Sequence, residues 1–345
     1  MTETPLLELR DVHVHFPIRS GLLQRQTGAI RAVSGVSLKI RRGQAFGLVG
    51  ESGCGKSTIA RAALRLEDVT SGQILYDGQD ITGLQGPALS PFRGKVQAIF
   101  QDPYSSLNPR MKAGQIIGEP ISVHGLRPAS EVKAEVARLL DICGLPARFA
   151  DLHPHEMSGG QRQRIGIARA LAMSPKLIVA DEAVSALDVS IQAQIITLME
   201  DLQRELGLTY LFIGHDLSVV RHICDQVAVM YLGRIVENAP SDTLFSDPRH
   251  PYTRALINAV PTPDPEFEAT RAEAPLAGEV PSPANPPSGC FFHPRCPLVT
   301  DRCKQEAPAL EGVAPDHATA CWHAGPAPAQ APIPPITTIQ QGAEL

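Results

Sequence analysis

The chain has 345 residues, 31 Lys and Arg against 36 Asp and Glu, a net charge of −5 and a sequence pI near 6.1. That length buries a large core and has room for two domains, and the acidic balance excludes a general nucleic-acid binder, which needs a basic surplus. No window holds the roughly 18 apolar residues that span a bilayer, and Met1-Thr2-Glu3-Thr4-Pro5 lacks an export signal, so the expectation is a soluble, cytoplasmic chain that docks on a membrane protein at most.

In chain order, residues 6–16 alternate enough for an edge-type strand, and the polar stretch through Gly21 and Gly28 reads as a loop. Residues 36–40 form a second strand, ended by Arg41-Arg42-Gly43. Then comes the apolar run Ala45 to Val49, followed by Gly50-Glu51-Ser52-Gly53-Cys54-Gly55-Lys56-Ser57-Thr58 and a helix-forming run, Ile59 to Leu64. This is G-x-x-x-x-G-K-[ST], the Walker A pattern, in a strand–loop–helix setting that a chance glycine-rich turn would lack. Glycines let successive N–H groups point inward at an anion, and the helix start adds its positive dipole end. Lys56 can reach β- and γ-phosphates and Ser57 can hold Mg²⁺. Gly50, Ser52, Gly53, Cys54, Gly55, Lys56, Ser57 and Thr58 are therefore candidate nucleotide-binding residues.

Ser71 to Ile81 reads as a hairpin turning at Asp77-Gly78, and residues 96–100 as a short buried strand. Across about 105–172 a helical subdomain is expected, with Val132, Val136, Leu139 and Leu140 at helical spacing. Inside it, Met157-Ser158-Gly159-Gly160-Gln161 opens a helix with Ser158 as N-cap and free N–H groups beside it, a second anion site. One chain does not readily wrap two such helix starts round one nucleotide, which points to a site shared between two subunits. Strand residues 177–180 deliver Asp181 and Glu182, whose side chains leave on opposite faces. Asp181 suits a Mg²⁺ shell, and Glu182 suits orienting or deprotonating a water aimed at the γ-phosphate. Ile191 to Leu206 is a helix stopped by Gly207, residues 210–213 a buried strand, and residues 227–236 a hairpin around Leu232-Gly233. Apolar strands alternating with helices argue for an α/β fold with a mainly parallel core.

From 261 the composition turns to proline, giving an expected linker over 261–289, a cysteine segment over 290–324 and a disordered Pro/Ala tail over 325–345. Of seven cysteines, Cys54, Cys143 and Cys224 are scattered, whereas Cys290, Cys296, Cys303 and Cys321 crowd together. In a reducing compartment such a cluster points to metal rather than to disulfides.

Together these motifs resemble the nucleotide-binding subunit of an ATP-binding-cassette (ABC) transporter over about residues 6–260. The resemblance implies a P-loop NTPase cassette: a RecA-like parallel sheet, an antiparallel β subdomain and an α-helical subdomain, here with a small Cys-rich extension. It implies that Ser158-Gly159-Gly160-Gln161 binds the γ-phosphate of ATP held by the opposite subunit, with Met157 replacing the commoner Leu. Gln101 would touch Mg²⁺ and sense the membrane subunit, Asp188 would cross the dimer interface, and His215 would contact the γ-phosphate. Phe16, closing the first strand, would stack on adenine; its bland alternative is an ordinary half-buried aromatic. The implied catalytic residues are Glu182, His215, Gln101 and Lys56, and the implied Mg²⁺ residues are Ser57, Gln101 and Asp181. Ala183 stands where the family usually has proline; no reacting group changes, so activity is expected to survive.

Residues 101–110 and His250-Pro251-Tyr252-Thr253-Arg254-Ala255-Leu256 resemble the oligopeptide/dipeptide importer ATPases, of F type. This implies a translocase ATPase peripheral to the cytoplasmic face of a bacterial inner membrane, powering uptake of di- and oligopeptides or related small solutes. Its implied partners are a second ATPase subunit of D type, two transmembrane permease subunits and an extracytoplasmic solute-binding protein, with no nucleic acid. In that subfamily the four clustered cysteines are associated with a [4Fe–4S] cluster; thiolates shielded by Phe291, Phe292 and Trp322 suit one. Their spacing is wider than the tight knuckles of structural zinc, and zinc or no metal stay open. The alternative function is a soluble cassette ATPase acting on ribosomes or DNA, which usually carries two cassettes or a coiled-coil insertion. This chain has one cassette and no heptad run.

Overall fold

The structure, a computed structural model, describes residues 4–21, 25–102, 104–260 and 278–325. Most of the linker expected over 261–289 and nearly all of the tail expected over 325–345 lie outside the described residues.

The chain opens with two long strands, β1 (Leu7–Ser20) and β2 (Arg25–Ile40), paired antiparallel from Leu7↔Ile40 to Ser20↔Arg25. A loop was expected through Gly28; instead the ladder runs past it, with Gly28 opposite Ile18. Four register shifts interrupt this hairpin. Each changes which side chains face inward, so the apolar alternation that marks a strand is lost from the sequence.

Next come β3 (Ala45–Val49), buried throughout, and α1 (Lys56–Ala63). The hairpin of β4 (Ser71–Tyr76) and β5 (Gln79–Asp80) turns at Asp77-Gly78, both with positive φ, as a type I′ turn requires. Then follow α2 (Ser90–Lys95) and β6 (Val96–Ile99), and a helical layer of α3 (Ala113–Val123), α4 (Ala129–Ile142) and α5 (Gly159–Leu171). The core resumes with β7 (Leu177–Asp181), α6 (Val189–Leu206), β8 (Thr209–Gly214), α7 (Leu217–Ile223), β9 (Gln226–Tyr231) and β10 (Arg234–Pro240). Gly207 caps α6 in the left-handed region, at φ 63. After α8 (Ser241–Ser246) and α9 (Pro251–Asn258), the C-terminal segment holds α10 (Asp301–Gln305), β11 (Glu311–Ala314) and β12 (His317–Thr319).

Two sheets result. One has four strands in the order β2-β1-β4-β5; the other has eight, β11-β12-β10-β9-β3-β8-β7-β6. Strands β9, β3, β8, β7 and β6 pair in parallel, and β10, β12 and β11 add antiparallel. Leu177, Ile178, Val179 and Ala180 are wholly buried because apolar clusters cover both faces of the parallel sheet. Each large aliphatic side chain so buried contributes about 1.5–3 kcal/mol. This is the expected α/β cassette: parallel core, antiparallel β sheet and helical layer.

The C-terminal segment is sewn into that core. Strand β12 pairs with β10 through Glu237↔Thr319 and Asn238↔Ala318. Buried His317 Nε2 lies 2.8 Å from Glu237 Oε1, and Glu237 also accepts from the backbone N–H groups of Arg249 and His250. His250 in turn caps α9, its Nδ1 accepting from the Tyr252 N–H at 3.0 Å. Burial pushes the His250 imidazole down to about 4, below the about 6.5 of an unfolded histidine. Its contribution is therefore complete above the unfolded value and is lost as pH falls towards the folded one. Between about pH 7 and pH 5 it should cost the fold about 2 kcal/mol. In urea titrations His250→Asn, which keeps a capping oxygen but does not titrate, should lose about that much of the difference between the two pH values.

Candidate functional site

Strand β3 ends at Val49 and the chain turns at once into the glycine loop. Gly50 has φ 153, and a Cβ there would lie 2.2 Å from the Met230 carbonyl oxygen; at Gly55, φ 110, it would lie 2.2 Å from the Ala32 carbonyl oxygen. Glycine is thus required at both positions for the loop to curl against its neighbours. Cys54 is buried beneath the loop. Lys56, 5% exposed, starts α1 and folds back, its Nζ donating to the carbonyls of Gly50 (2.8 Å) and Glu51 (3.0 Å). Its third contact is to Cys54 Sγ at 3.9 Å, a weak acceptor that a phosphate over the loop would replace. A cavity of about 180 Å³ lies there, lined by Ser52, Gly53, Gly55, Lys56, Ser57 and Thr58, with Glu182 at one side and Ile30, Ala32 and Pro283 at another.

Ser57 Oγ donates to Asp181 Oδ1 at 3.3 Å, joining the loop to the end of β7. Burial chiefly, aided by the Glu182 carboxylate and opposed by the Ser57 hydrogen bond and Lys56, raises the Asp181 carboxyl above its ordinary range. A bound cation would reverse that penalty. Two hard oxygens at the mouth of a phosphate loop fit Mg²⁺, which takes one or two carboxylates and fills its shell with phosphate and water.

Glu182 sits one residue on, at φ 49. Its N–H donates to the Ile213 carbonyl at 2.8 Å and its carbonyl accepts from Ser185 Oγ at 3.0 Å, which aims the side chain. Gln101 Nε2 donates to Glu182 Oε2 at 2.6 Å, and His215 Nδ1 lies 3.4 Å from the same oxygen. Residues from the ends of three parallel strands therefore converge on one carboxylate beside the phosphate loop.

The capped helix start at Ser158 forms as the sequence suggests. Ser158 caps α5, its Oγ accepting from the Gln161 N–H (3.4 Å) while Gln161 Oε1 accepts from the Ser158 N–H (2.9 Å). Gln161 thus closes a capping box. A Cβ on Gly159 would meet Leu187 at 3.2 Å, and one on Gly160 would meet Ile191 at 2.5 Å, so this helix start seats on the beginning of α6. Asp188 stands at the N-cap position of α6, without a side-chain capping bond, and is exposed. Among the described residues, neither Ser158 nor Asp188 lines the cavity over the chain's own phosphate loop.

Phe16 also lies outside that cavity. It pairs with Ile30 across the β1–β2 ladder and packs against the core, while Ile30 itself lines the cavity. Sequence reasoning missed Ile30, Ala32 and Pro283.

The cysteine segment departs from expectation. Chiefly burial, with the neighbouring thiols adding, raises Cys290, Cys296 and Cys321, Cys296 to about 11. Four neighbouring sulfurs suit a cluster in kind, yet among the described residues no group of three or more His, Cys, Asp or Glu is disposed to hold a metal ion. Two of the sulfurs have other partners: Cys303 Sγ lies 3.3 Å from Thr300 Oγ1, and Cys321 Sγ accepts from the His323 N–H at 3.3 Å. The expected [4Fe–4S] site is not supported by this placement.

Comparison with known proteins agrees with the geometry. The sequence profile described as "ABC transporter" matches residues 33–185, and that of the "Oligopeptide/dipeptide transporter, C-terminal region" matches residues 236–303. The chain is 54% identical over 317 residues to the oligopeptide transport ATP-binding protein AppF of Bacillus subtilis, covering 92% of this chain and 96% of that one. It is 54% identical over 324 residues to a probable peptide ABC transporter ATP-binding protein of Sinorhizobium fredii, covering 94% and 91%. Among solved structures, it resembles a dimeric post-hydrolysis state of an ATP-binding cassette bound to ADP and Pi, with TM-score 0.60 and 28% identity over 68% of this chain and 98% of that one. A phosphate loop facing an acidic strand end, on a chain that shares half its residues with such ATP-binding proteins along nearly its whole length, makes this protein a member of the ABC transporter family.

Proposed function

We propose that this chain is the ATP-hydrolysing subunit of an ABC importer that powers uptake of di- and oligopeptides or related small solutes. The observation that carries this reading is the convergence of Gln101 and His215 on Glu182 beside Lys56 and the glycine loop. Lys56 and the loop amides would neutralise the triphosphate, and Glu182 would orient or deprotonate the attacking water. Ser57, Asp181 and Gln101 would hold Mg²⁺, which supplies charge neutralisation between the phosphates. Ser158, exposed and not among the residues lining its own chain's cavity, would complete the site of a facing cassette, as Asp188 would line the seam. Hydrolysis then removes the anion that bridges the two halves, and the clamp opens.

The proposed assembly is peripheral to the cytoplasmic face of the membrane: this chain, a second ATPase of D type, two permease subunits and an external solute-binding protein. Among the described residues no helix is long and apolar enough to cross a membrane, and the relatives' names and the matched C-terminal profile support the peptide reading. We place the cassette over 1–260 with the helical subdomain over about 105–172, the linker over 261–289 and the cysteine segment over 290–324. The test is ATPase activity of the purified chain with and without reconstituted permeases and loaded binding protein. Stimulation by both is expected; full activity alone, with the chain recovered on ribosomes rather than membranes, would reject the reading.

For the four cysteines the finer proposal is a [4Fe–4S] cluster, supported by the donor set alone. Protein purified without oxygen should contain iron and sulfide and lose them in Cys296→Ser. Iron-free wild-type protein would remove the cluster from the account, and no step of hydrolysis depends on it.

A further inference from the structure

The C-terminal segment reaches the phosphate loop. Arg295, with its side chain 6% exposed, lays its guanidinium against the Glu51 carboxylate: Nη1 donates to Oε2 at 2.8 Å and Nη2 to Oε1 at 3.2 Å. Glu51 is the residue after Gly50 in the loop, and its backbone is held as firmly as its side chain. Its N–H donates to the Tyr252 hydroxyl at 2.9 Å, and its carbonyl accepts from Lys56 Nζ at 3.0 Å. The arginine sits on an aromatic floor, with its Cζ 6.0 Å from the Tyr231 ring centroid and Tyr231, Tyr252 and Phe292 in mutual ring contact. Earlier in the same segment, the Pro283 carbonyl accepts from the Arg31 N–H at 3.1 Å, and Pro283 joins Ile30 and Ala32 in the apolar wall of the cavity over the loop.

We propose that the C-terminal segment completes the nucleotide site of its own chain, with Arg295 as the positioning residue for the phosphate loop and Pro283 as part of the pocket wall. Arg295 touches no phosphate. It fixes Glu51 through a planar two-bond fork that a lysine cannot reproduce. Glu51 in turn fixes the carbonyl that steers Lys56. Small errors in such placement are costly, since a displacement of about 1 Å at a reacting group reaches a hundredfold in rate. The inference rests on the loop being an ATP site.

The test measures the Kd of a fluorescent ATP analogue with Mg²⁺, the KM and kcat for ATP, and thermal midpoint, on the full-length chain. Arg295→Gln and Glu51→Gln are each expected to raise Kd and KM about 10-fold or more, by loss of loop placement. The double variant should be no worse than either single one, because both break one link. Arg295→Lys should recover part of the loss, and Pro283→Gly should raise Kd without altering the loop pair. A lowered thermal midpoint with unchanged Kd and KM in the folded variants overturns the inference and leaves Arg295 a purely structural anchor. If Arg295→Gln does not fold, Arg295→Lys and Glu51→Gln are read by the same criteria. Lys56→Ala, run in parallel, separates the two claims. Lost binding there with full binding in Arg295→Gln rejects the positioning role alone, whereas full binding in both rejects the ATP site as well.

Discussion

Glu182→Gln is expected to lower ATP turnover by about 10²- to 10⁴-fold, the range for removing a positioned general base, while ATP still binds. Gln has the size of Glu but carries no charge and takes up no proton at neutral pH. The backbone at 182 is locked by the Ile213 carbonyl and the Ser185 hydroxyl, so the new side chain should occupy the same place. Gln101 and His215 stay beside it, and the phosphate loop is untouched. Substrate affinity should therefore survive with the chemistry removed, and ATP-loaded dimer should accumulate, visible as an earlier-eluting species in size-exclusion chromatography with ATP and absent with ADP. Turnover within a few fold of wild type would remove Glu182 from the reacting groups.

Lys56→Ala should act on the other half of the cycle. A charge-assisted hydrogen bond to phosphate is worth about 1.5–3 kcal/mol, so losing the ammonium should weaken ATP binding by about 10- to 100-fold. The variant also strips a donor from the Gly50 and Glu51 carbonyls, which should loosen the empty loop. Heating separates the two effects. Wild-type protein should gain thermal stability as ATP is added, by mass action on the folded state. The variant should gain little at the same concentration, whatever its starting midpoint. An undiminished ATP-induced shift would mean that Lys56 does not touch the nucleotide.

The two variants fail differently because they sit on different kinds of structure. Lys56 is held by carbonyls five and six residues away, within one loop. Glu182 gains its neighbours from β6 and β8, strands far apart in the chain that lie on either side of β7 in the sheet. The acidic pair was visible as an apolar run ending in two carboxylates, but the closeness of Gln101 and His215 to one of them depends on strand order. The family resemblance implied that both serve one ATP site; the strand order shows how they meet there.

The β1–β2 hairpin was the least legible element. Its four register shifts break the two-residue alternation, and half of its outer length is exposed, so Gly28 passes for part of the loop that Gly21 opens. In the same hairpin Ile30, the cross-strand partner of Phe16, lines the cavity over the loop, because pairing continues beyond the point where the first strand seemed to close. The cysteines pose a different problem. Their crowding in sequence suggested a metal centre, and the thiols do lie near one another, yet among the described residues no group of three or more is disposed to hold a metal ion.

By itself the sequence determined the glycine loop, the capped helix start at Ser158, the acidic strand end and the α/β class, since each depends on backbone geometry and spacing within about a dozen residues. Only the tertiary structure decided that β12 extends the core sheet, that Pro283 walls the cavity, and that Arg295 grips Glu51 from 244 residues away. Contacts of that span leave no local periodicity to read. They form only when packing of the whole core outweighs the entropy of closing so long a loop.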